Sequence, residues 1–263
     1  MSQLLVSEND NRCLDLRRRL DSFYETSKDY TAFHEANYQP DFWQPIKNTI
    51  EACVKRQNQC RVLEIGAGRT GFDSYIEDIR SHVIFDVQDV TAANQEYLST
   101  HADLIYIGDI QEIEQKYDVI FSTFVWEHIT NPKATLDCLL NLLNPGGSIF
   151  IASPRYDLPF YLSPSSKHLS NLEHFQTSIW LLFRRLKVIL GGQPDFFIHL
   201  DPCLFYQDWF RDTDAIHWVS MYDLKKYLPK HFKFYRLRIP ARGIKGKIWE
   251  SFLLMFVEIQ KPI

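Results

Sequence analysis

The feature that most constrains this chain is an apolar run that breaks abruptly into glycines. Val62-Leu63-Glu64-Ile65 leads straight into Gly66-Ala67-Gly68-Arg69-Thr70-Gly71. The run reads as a buried strand, and glycine after it lets the backbone turn sharply and approach a ligand closely. Residues 72–79 then carry a helical pattern, so the unit is strand, tight turn, helix.

Similar short runs recur downstream: HVIFDV, LIYI, YDVIFSTFV and GSIFIASP, separated by amphipathic or polar segments. That alternation predicts βαβ units and a parallel sheet over 61–153. Residues 1–60 read as an N-terminal helical layer, with Trp43, Ile46, Ile50 and Val54 on one helix face. Residues 154–219 are rich in proline and lack strand alternation, which predicts an inserted helix-and-loop segment. Over 220–263, Ser220 can cap a short helix. FKFYRLRIP (232–240) and SFLLMFVEIQ (251–260), joined through Gly243 and Gly246, are expected to form an antiparallel hairpin on the sheet edge.

Charge and cysteine usage narrow the function classes. With 29 basic and 33 acidic residues the net charge is −4, which lacks the electrostatic footprint of a nucleic-acid binder. The five cysteines, 13, 53, 60, 138 and 203, form no C-x-x-C pair. Neither a disulfide framework nor a zinc site is suggested, and a reducing, cytoplasmic setting fits best. The first residues do not have the pattern of a secretory signal. The stretch 179–190 is apolar but interrupted by Arg184, Arg185 and Lys187, too short for a bilayer span of about 20 residues. Stable membrane insertion is not expected, while a peripheral contact through this stretch stays open.

The glycine loop alone fits G-x-G-x-x-G, with Asp86 20 residues after Gly66 where a ribose-binding acid is expected. On that evidence a nicotinamide dinucleotide would serve equally well. Glu64 tilts the balance, because a carboxylate two residues before the glycines repels a pyrophosphate and favours a cationic ligand. Gly108-Asp109-Ile110 after LIYI offers an acceptor for an exocyclic amine and an apolar wall for a flat ring. The segments YDVIFSTFVWEHI and LNPGGSIFIASP follow in order.

In these motifs, over about residues 60–154, the chain resembles the class I S-adenosylmethionine-dependent methyltransferases, in their small-molecule branch. The resemblance implies an α/β, Rossmann-like, doubly wound sheet of seven strands with the last strand antiparallel. It implies S-adenosylmethionine as the cofactor, lying across the carboxyl ends of the strands. Glu64 would take the methionine amino group. Gly66, Ala67 and Gly68 would pack beneath the cofactor. Asp86 or Asp89 would hold the ribose hydroxyls, with Asp86 ranked first. Asp109 and Ile110 would meet the adenine. The third glycine departs from the usual spacing, so Gly68 matters more than Gly71.

Methyl transfer from a sulfonium is a displacement in which alignment and exclusion of water dominate, and a hydroxyl or acidic-carbon nucleophile also benefits from a base. His128 in Trp126-Glu127-His128-Ile129 is the leading candidate base, with Tyr156, Asp157, His174 and His217 weaker. His168, Glu173 and His174 read as a solvated face, and no metal site is assigned. The expected acceptor is a small molecule or a glycan, with O-methylation preferred over N- or C-methylation. The aromatic surplus of 154–218 is mostly core, with some members available to line the acceptor pocket. Two competing readings remain: an NAD(P)-dependent oxidoreductase on the same loop, and a binding protein that keeps the fold without turnover.

Overall fold

The computed structural model describes residues 5–7, 10–26 and 40–263. The 27–39 part of the expected N-terminal helical layer lies outside the described residues. In chain order the elements are β1 (Leu5–Ser7), α1 (Arg12–Thr26), α2 (Pro40–Gln57), β2 (Cys60–Ile65), α3 (Phe72–Tyr75), β3 (Val83–Asp89), α4 (Gln95–Leu98), β4 (Leu104–Ile107) and β5 (Tyr117–Thr123). They continue with α5 (Pro132–Leu142), β6 (Leu143–Pro154), α6 (Asn171–Ile189), β7 (Phe197–His199), α7 (Met221–Tyr227), β8 (Lys233–Arg236), α8 (Gly243–Ile248) and β9 (Leu254–Gln260).

Seven strands form one sheet in the order β4-β3-β2-β5-β6-β9-β8. β2 through β6 pair in parallel, and β9 is antiparallel to both neighbours. The fold is therefore the α/β doubly wound sheet expected, with the terminal hairpin on one edge. Successive residues of β2 feed opposite layers, as strand periodicity demands. Val62 packs with Ile46, Ile50, Phe72 and Phe85 beneath α2. Leu63 packs with Ile120, Leu136 and Leu139 beneath α5. The chain moves outward from β2 to β4, then returns and builds the other way from β5. The carboxyl ends of β2 and β5 thus form the switch point at which open α/β sheets bind ligands.

Three local expectations change. The helix predicted over 72–79 stops at Tyr75 and continues as 3-10 turns over Glu77–His82. The first hairpin strand ends at Arg236, and the glycine link folds into α8 and a single π turn, Trp249–Leu253. The N-terminal layer is not purely helical, because β1 pairs antiparallel with β7, Val6 opposite Ile198. α1 follows it, with Leu16, Leu20 and Tyr24 buried against Ile198, Leu204 and Ile216 of the insertion. The two segments flanking the sheet therefore share a core that sequence adjacency does not suggest. Among the described residues no helix is long and apolar enough to cross a membrane.

Candidate active site

A cavity of about 290 Å³ opens over the carboxyl ends of β2, β3 and β5. Its inner end is built by the glycine loop. Gly66 and Ala67 donate their N–H groups to the Gln88 carbonyl at 2.8 and 3.0 Å, which ties the loop to the end of β3. Gly66 sits at φ +66°, and a Cβ there would come within 2.5 Å of Val125. Gly68, at φ +55°, donates its N–H to Asp89 Oδ2 at 2.9 Å. Both positions favour glycine for backbone reasons. Gly71 lacks that constraint, since a Cβ there meets only Trp43, at 3.9 Å.

Glu64 is 4% exposed and lines the cavity, and its Oε2 has no hydrogen-bond partner among the described residues. Burial pushes its carboxyl up to about 8, opposed by a bond from the Thr70 side chain. A buried carboxylate facing a cavity with an unmet oxygen suits a cationic group such as an ammonium. Asp109 stands beyond β4 at the head of the Ile110–Glu112 turn, where Oδ1 accepts from Gln111 N at 3.0 Å. Its Oδ2 accepts from Arg17 Nη2 of α1 at 2.7 Å. Ile110 lies beside it in the cavity wall. The residues present fit the methionine and adenine ends of S-adenosylmethionine.

Of the two acids expected at the ribose, Asp89 lines the cavity and Asp86, ranked first, does not. Asp86 lies in the middle of β3, paired in register with Leu63, and is fully buried outside the cavity. Its Oδ2 accepts from Arg61 Nη2 at 2.8 Å and from the Tyr117 hydroxyl at 3.0 Å. Asp89, the last residue of β3, lines the cavity instead and accepts from Gly68 N and Thr91 N. Burial raises its carboxyl, while those backbone bonds oppose the shift.

The outer end of the cavity is lined by His128 and Asn131 after β5, Leu20, Asp21 and Tyr24 of α1, and Trp209, Arg211, Asp212 and Asp214 of the insertion. His128 Nδ1 lies 3.3 Å from Asp214 Oδ2. Asp214 is held in turn by the Tyr24 hydroxyl at 2.9 Å and Trp209 Nε1 at 3.3 Å. Burial disfavours charge on His128, but the Asp214 carboxylate, with Glu127 and Asp212 behind it, prevails and holds the imidazole up at about 9. Glu127 is fully buried, accepts from Ser153 Oγ at 2.9 Å, and is pushed up to about 7 by burial.

The weaker candidates disperse. Tyr156 donates to Asp212 at 2.6 Å from behind the cavity wall. Asp157 pairs with Arg185 at 3.0 Å. His174 bonds the Ser166 carbonyl, and Glu173 completes the cap of α6. His217 is buried against the Trp126 carbonyl, and burial lowers it to about 4. Of the insertion's aromatics, Phe197 and Trp218 are core and Trp209 reaches the cavity. Sequence reasoning missed Asp214, Asp212 and the whole α1 wall. The one available signal was the amphipathic CLDLRRRLDSFY of α1, whose apolar positions recur at helical spacing.

Comparison with known proteins agrees with this architecture. Residues 36–237 match a family model described as a methyltransferase domain. A mitochondrial ubiquinone biosynthesis O-methyltransferase of Dictyostelium discoideum is 33% identical over 86 residues, 32% of this chain and 26% of that protein. A hybrid PKS-NRPS synthetase, poxE, of Penicillium oxalicum is 27% identical over 190 residues, 63% of this chain and 4% of that protein. The match thus spans only a minor part of each curated relative. Among solved structures, the plantazolicin methyltransferase BamL, in complex with a triazolic desmethylPZN analog and SAH, aligns with a TM-score of 0.55 at 13% identity. That alignment covers 96% of this chain and 97% of BamL. With the family model spanning most of its length, the chain belongs to the methyltransferase domain family, within the class I S-adenosylmethionine-dependent methyltransferases.

Proposed function

We propose that this chain transfers the methyl group of S-adenosylmethionine to a hydroxyl of a small-molecule or glycan acceptor, in the cytoplasm. The observation that carries the reading is continuity: one cavity joins the Glu64, Gly68, Asp89 and Asp109 groove to the His128–Asp214 pair. Bound there, the cofactor supplies an electrophilic methyl. Glu64 holds the ammonium, Asp89 the ribose hydroxyls, and Asp109 with Ile110 the adenine edge.

At the acceptor end, Asp214 Oδ2 lies 3.3 Å from Nδ1 of His128, which lines the cavity. Tyr24 and Trp209 fix the Asp214 carboxylate beside the imidazole. A basic imidazole near 9 is matched to an acidic hydroxyl such as a phenol or enol, taking its proton as the oxygen attacks. The α1 wall covers the cavity and keeps water from the reacting centre. The likeness to an O-methyltransferase supports the same atom.

The test is incubation of the purified chain with isotopically labelled S-adenosylmethionine and a metabolite extract, followed by mass spectrometry. Labelled methyl on a hydroxyl of a small acceptor is the expected product. Label on nitrogen or carbon would replace the O-methylation reading. NADH binding without S-adenosylmethionine binding would overturn the assignment of the groove.

A further inference from the structure

The connection between β8 and β9 segregates charge. Residues 236–253, RLRIPARGIKGKIWESFL, hold five bases, Arg236, Arg238, Arg242, Lys245 and Lys247, and a single acid, Glu250, in a chain that carries 33 acidic against 29 basic residues overall. Glu250 is 5% exposed, and its Oε2 accepts from Ser251 Oγ at 3.0 Å. Arg238, Arg242, Lys245 and Lys247 are exposed. None of the four has an ion-pair partner among the described residues. The positive field reaches Arg236: burial lowers its guanidinium, and the Arg155 and Arg238 cations add to that shift against Glu250.

Apolar side chains stand among these charges. Ile244, Ile248 and Phe252 are 79%, 50% and 63% exposed and recur every four residues through α8 and the π turn. At about 100° per residue, Lys245 and Lys247 fall on opposite flanks of the line from Ile244 to Ile248. The other side of the segment faces the protein, where Trp249 stacks on Phe124 with ring centroids 6.5 Å apart. Arg155 Nη1 donates to the Phe252 carbonyl, and Arg236 Nη2 to those of Glu250 and Ser251. The segment is thus fastened to the sheet through its backbone. β9 begins where β6 ends, Leu254 opposite Pro154. The connection therefore emerges at the carboxyl end of the parallel strands, the end over which the cavity opens.

Charge and apolarity together identify what fits. Exposed apolar side chains flanked by long bases suit a membrane interface, where the apolar tips enter the acyl boundary and the bases snorkel to lipid phosphates. A cluster of four or more Lys and Arg on such a segment reads as a site for anionic lipid. A second copy is a poorer match, because it would set these bases against their own counterparts. A nucleic acid would leave the isoleucines against phosphate. The exposed apolar side of α6 lacks the signature, since Arg184 is paired with Asp195 and Arg185 is buried.

We propose that the β8–β9 connection docks the chain on an anionic lipid bilayer. Ile244, Ile248 and Phe252 enter the interface, while Arg238, Arg242, Lys245 and Lys247 meet the headgroups. The docking does not depend on which acceptor the cavity takes.

The experiment is flotation of the full chain with vesicles of phosphatidylcholine, with and without phosphatidylglycerol, beside sedimentation velocity without vesicles. The parent should float with the phosphatidylglycerol vesicles, stay behind with phosphatidylcholine alone, and be released as salt rises. Ile248→Glu with Phe252→Glu should not float. Its far-ultraviolet dichroism and its Kd for S-adenosylhomocysteine should match the parent's, because both side chains are exposed. Lys245→Gln with Lys247→Gln should bind the vesicles about 30-fold more weakly, at about 1 kcal/mol per base near the surface. Leu182→Glu with Leu186→Glu on α6 should float like the parent. A parent that ignores the anionic vesicles, or a glutamate pair at 248 and 252 that still floats, overturns the proposal. Loss of flotation in the α6 variant overturns it in favour of that helix. A parent that ignores vesicles but sediments as a dimer dispersed by Phe252→Glu overturns it in favour of a second copy.

Discussion

Arg17 of α1 reaches Asp109, 92 residues away, with Nη2 to Oδ2 at 2.7 Å. The contact ties the N-terminal helix to the turn after β4, so the wall over the cavity is latched to a residue assigned to the cofactor. Both partners are partly exposed, which limits such a pair to about 0–1 kcal/mol and makes it salt-sensitive.

The first prediction separates latch from ligand. Arg17→Gln should leave thermal stability within about 1 kcal/mol of the parent and raise both association and dissociation rates of S-adenosylhomocysteine in stopped-flow fluorescence. Asp109→Ala should instead slow nothing on entry but raise Kd by about tenfold, the value of roughly one hydrogen bond. Equal effects of the two variants on Kd would remove the distinction.

Glu64 gives a second prediction. Its carboxyl titrates near 4.5 without the fold and near 8 within it. The folded value is the higher, so its contribution to stability is full below about pH 4.5 and is lost as pH rises through 8. Apo Glu64→Gln should therefore be more stable than the parent at pH 8.5 and close to it at pH 5, in denaturant titrations. The same variant should bind S-adenosylmethionine at least about 30-fold more weakly, because it removes a charge-assisted partner worth roughly 2 kcal/mol or more. Calorimetry of the parent near pH 7 should record proton release on binding, through buffers of differing ionisation enthalpy. No proton exchange would contradict the pairing.

A third prediction contrasts two aspartates three residues apart. Asp86→Ala leaves Arg61 and the Tyr117 hydroxyl without their shared acceptor, so it should cost about 2–4 kcal/mol of stability while the folded fraction binds cofactor normally. Asp89→Ala should weaken cofactor binding about tenfold or more. Isothermal titration beside chemical denaturation reads both. Loss of binding in Asp86→Ala at full folding would restore the original ranking.

The aspartates also show where sequence legibility ended. The strands were readable because each is a short apolar run between polar segments. The groove was readable because Gly66 and Gly68 occupy positive φ, where other residues are strained. Counting 20 residues from Gly66, however, lands on Asp86, in mid-strand opposite Leu63, whereas β3 runs on to Asp89 before reaching the cavity. Register is a property of two strands together and cannot be counted along one. The same holds for the acceptor wall. Tyr24 meets Asp214 across 190 residues, a contact created by β1 pairing with β7 and by a core shared between α1 and the insertion. Neither partner carries a local signal for it.

The last prediction concerns His128. Its imidazole stands near 9 in the fold against 6.5 without it, chiefly because the Asp214 carboxylate overcomes the effect of burial. The stability it contributes is full below pH 6.5 and is lost as pH rises through 9. At neutral pH the ring is mostly charged, and the fraction able to take a proton grows tenfold per pH unit. A base role for His128 therefore requires a kcat that climbs towards a plateau near 9. Asp214→Asn removes the nearest carboxylate and should move that limb down towards the unperturbed range, about one to two units lower, with a smaller plateau because a weaker base is less effective. His128→Ala should lower kcat by about 10²–10⁴-fold while leaving the Kd for S-adenosylhomocysteine nearly unchanged, because the groove residues do not depend on it. A merely structural histidine would instead shift stability and leave the pH dependence of kcat flat. The pH profile of Asp214→Asn thus distinguishes a proton acceptor from a packing residue even if both variants fold less well.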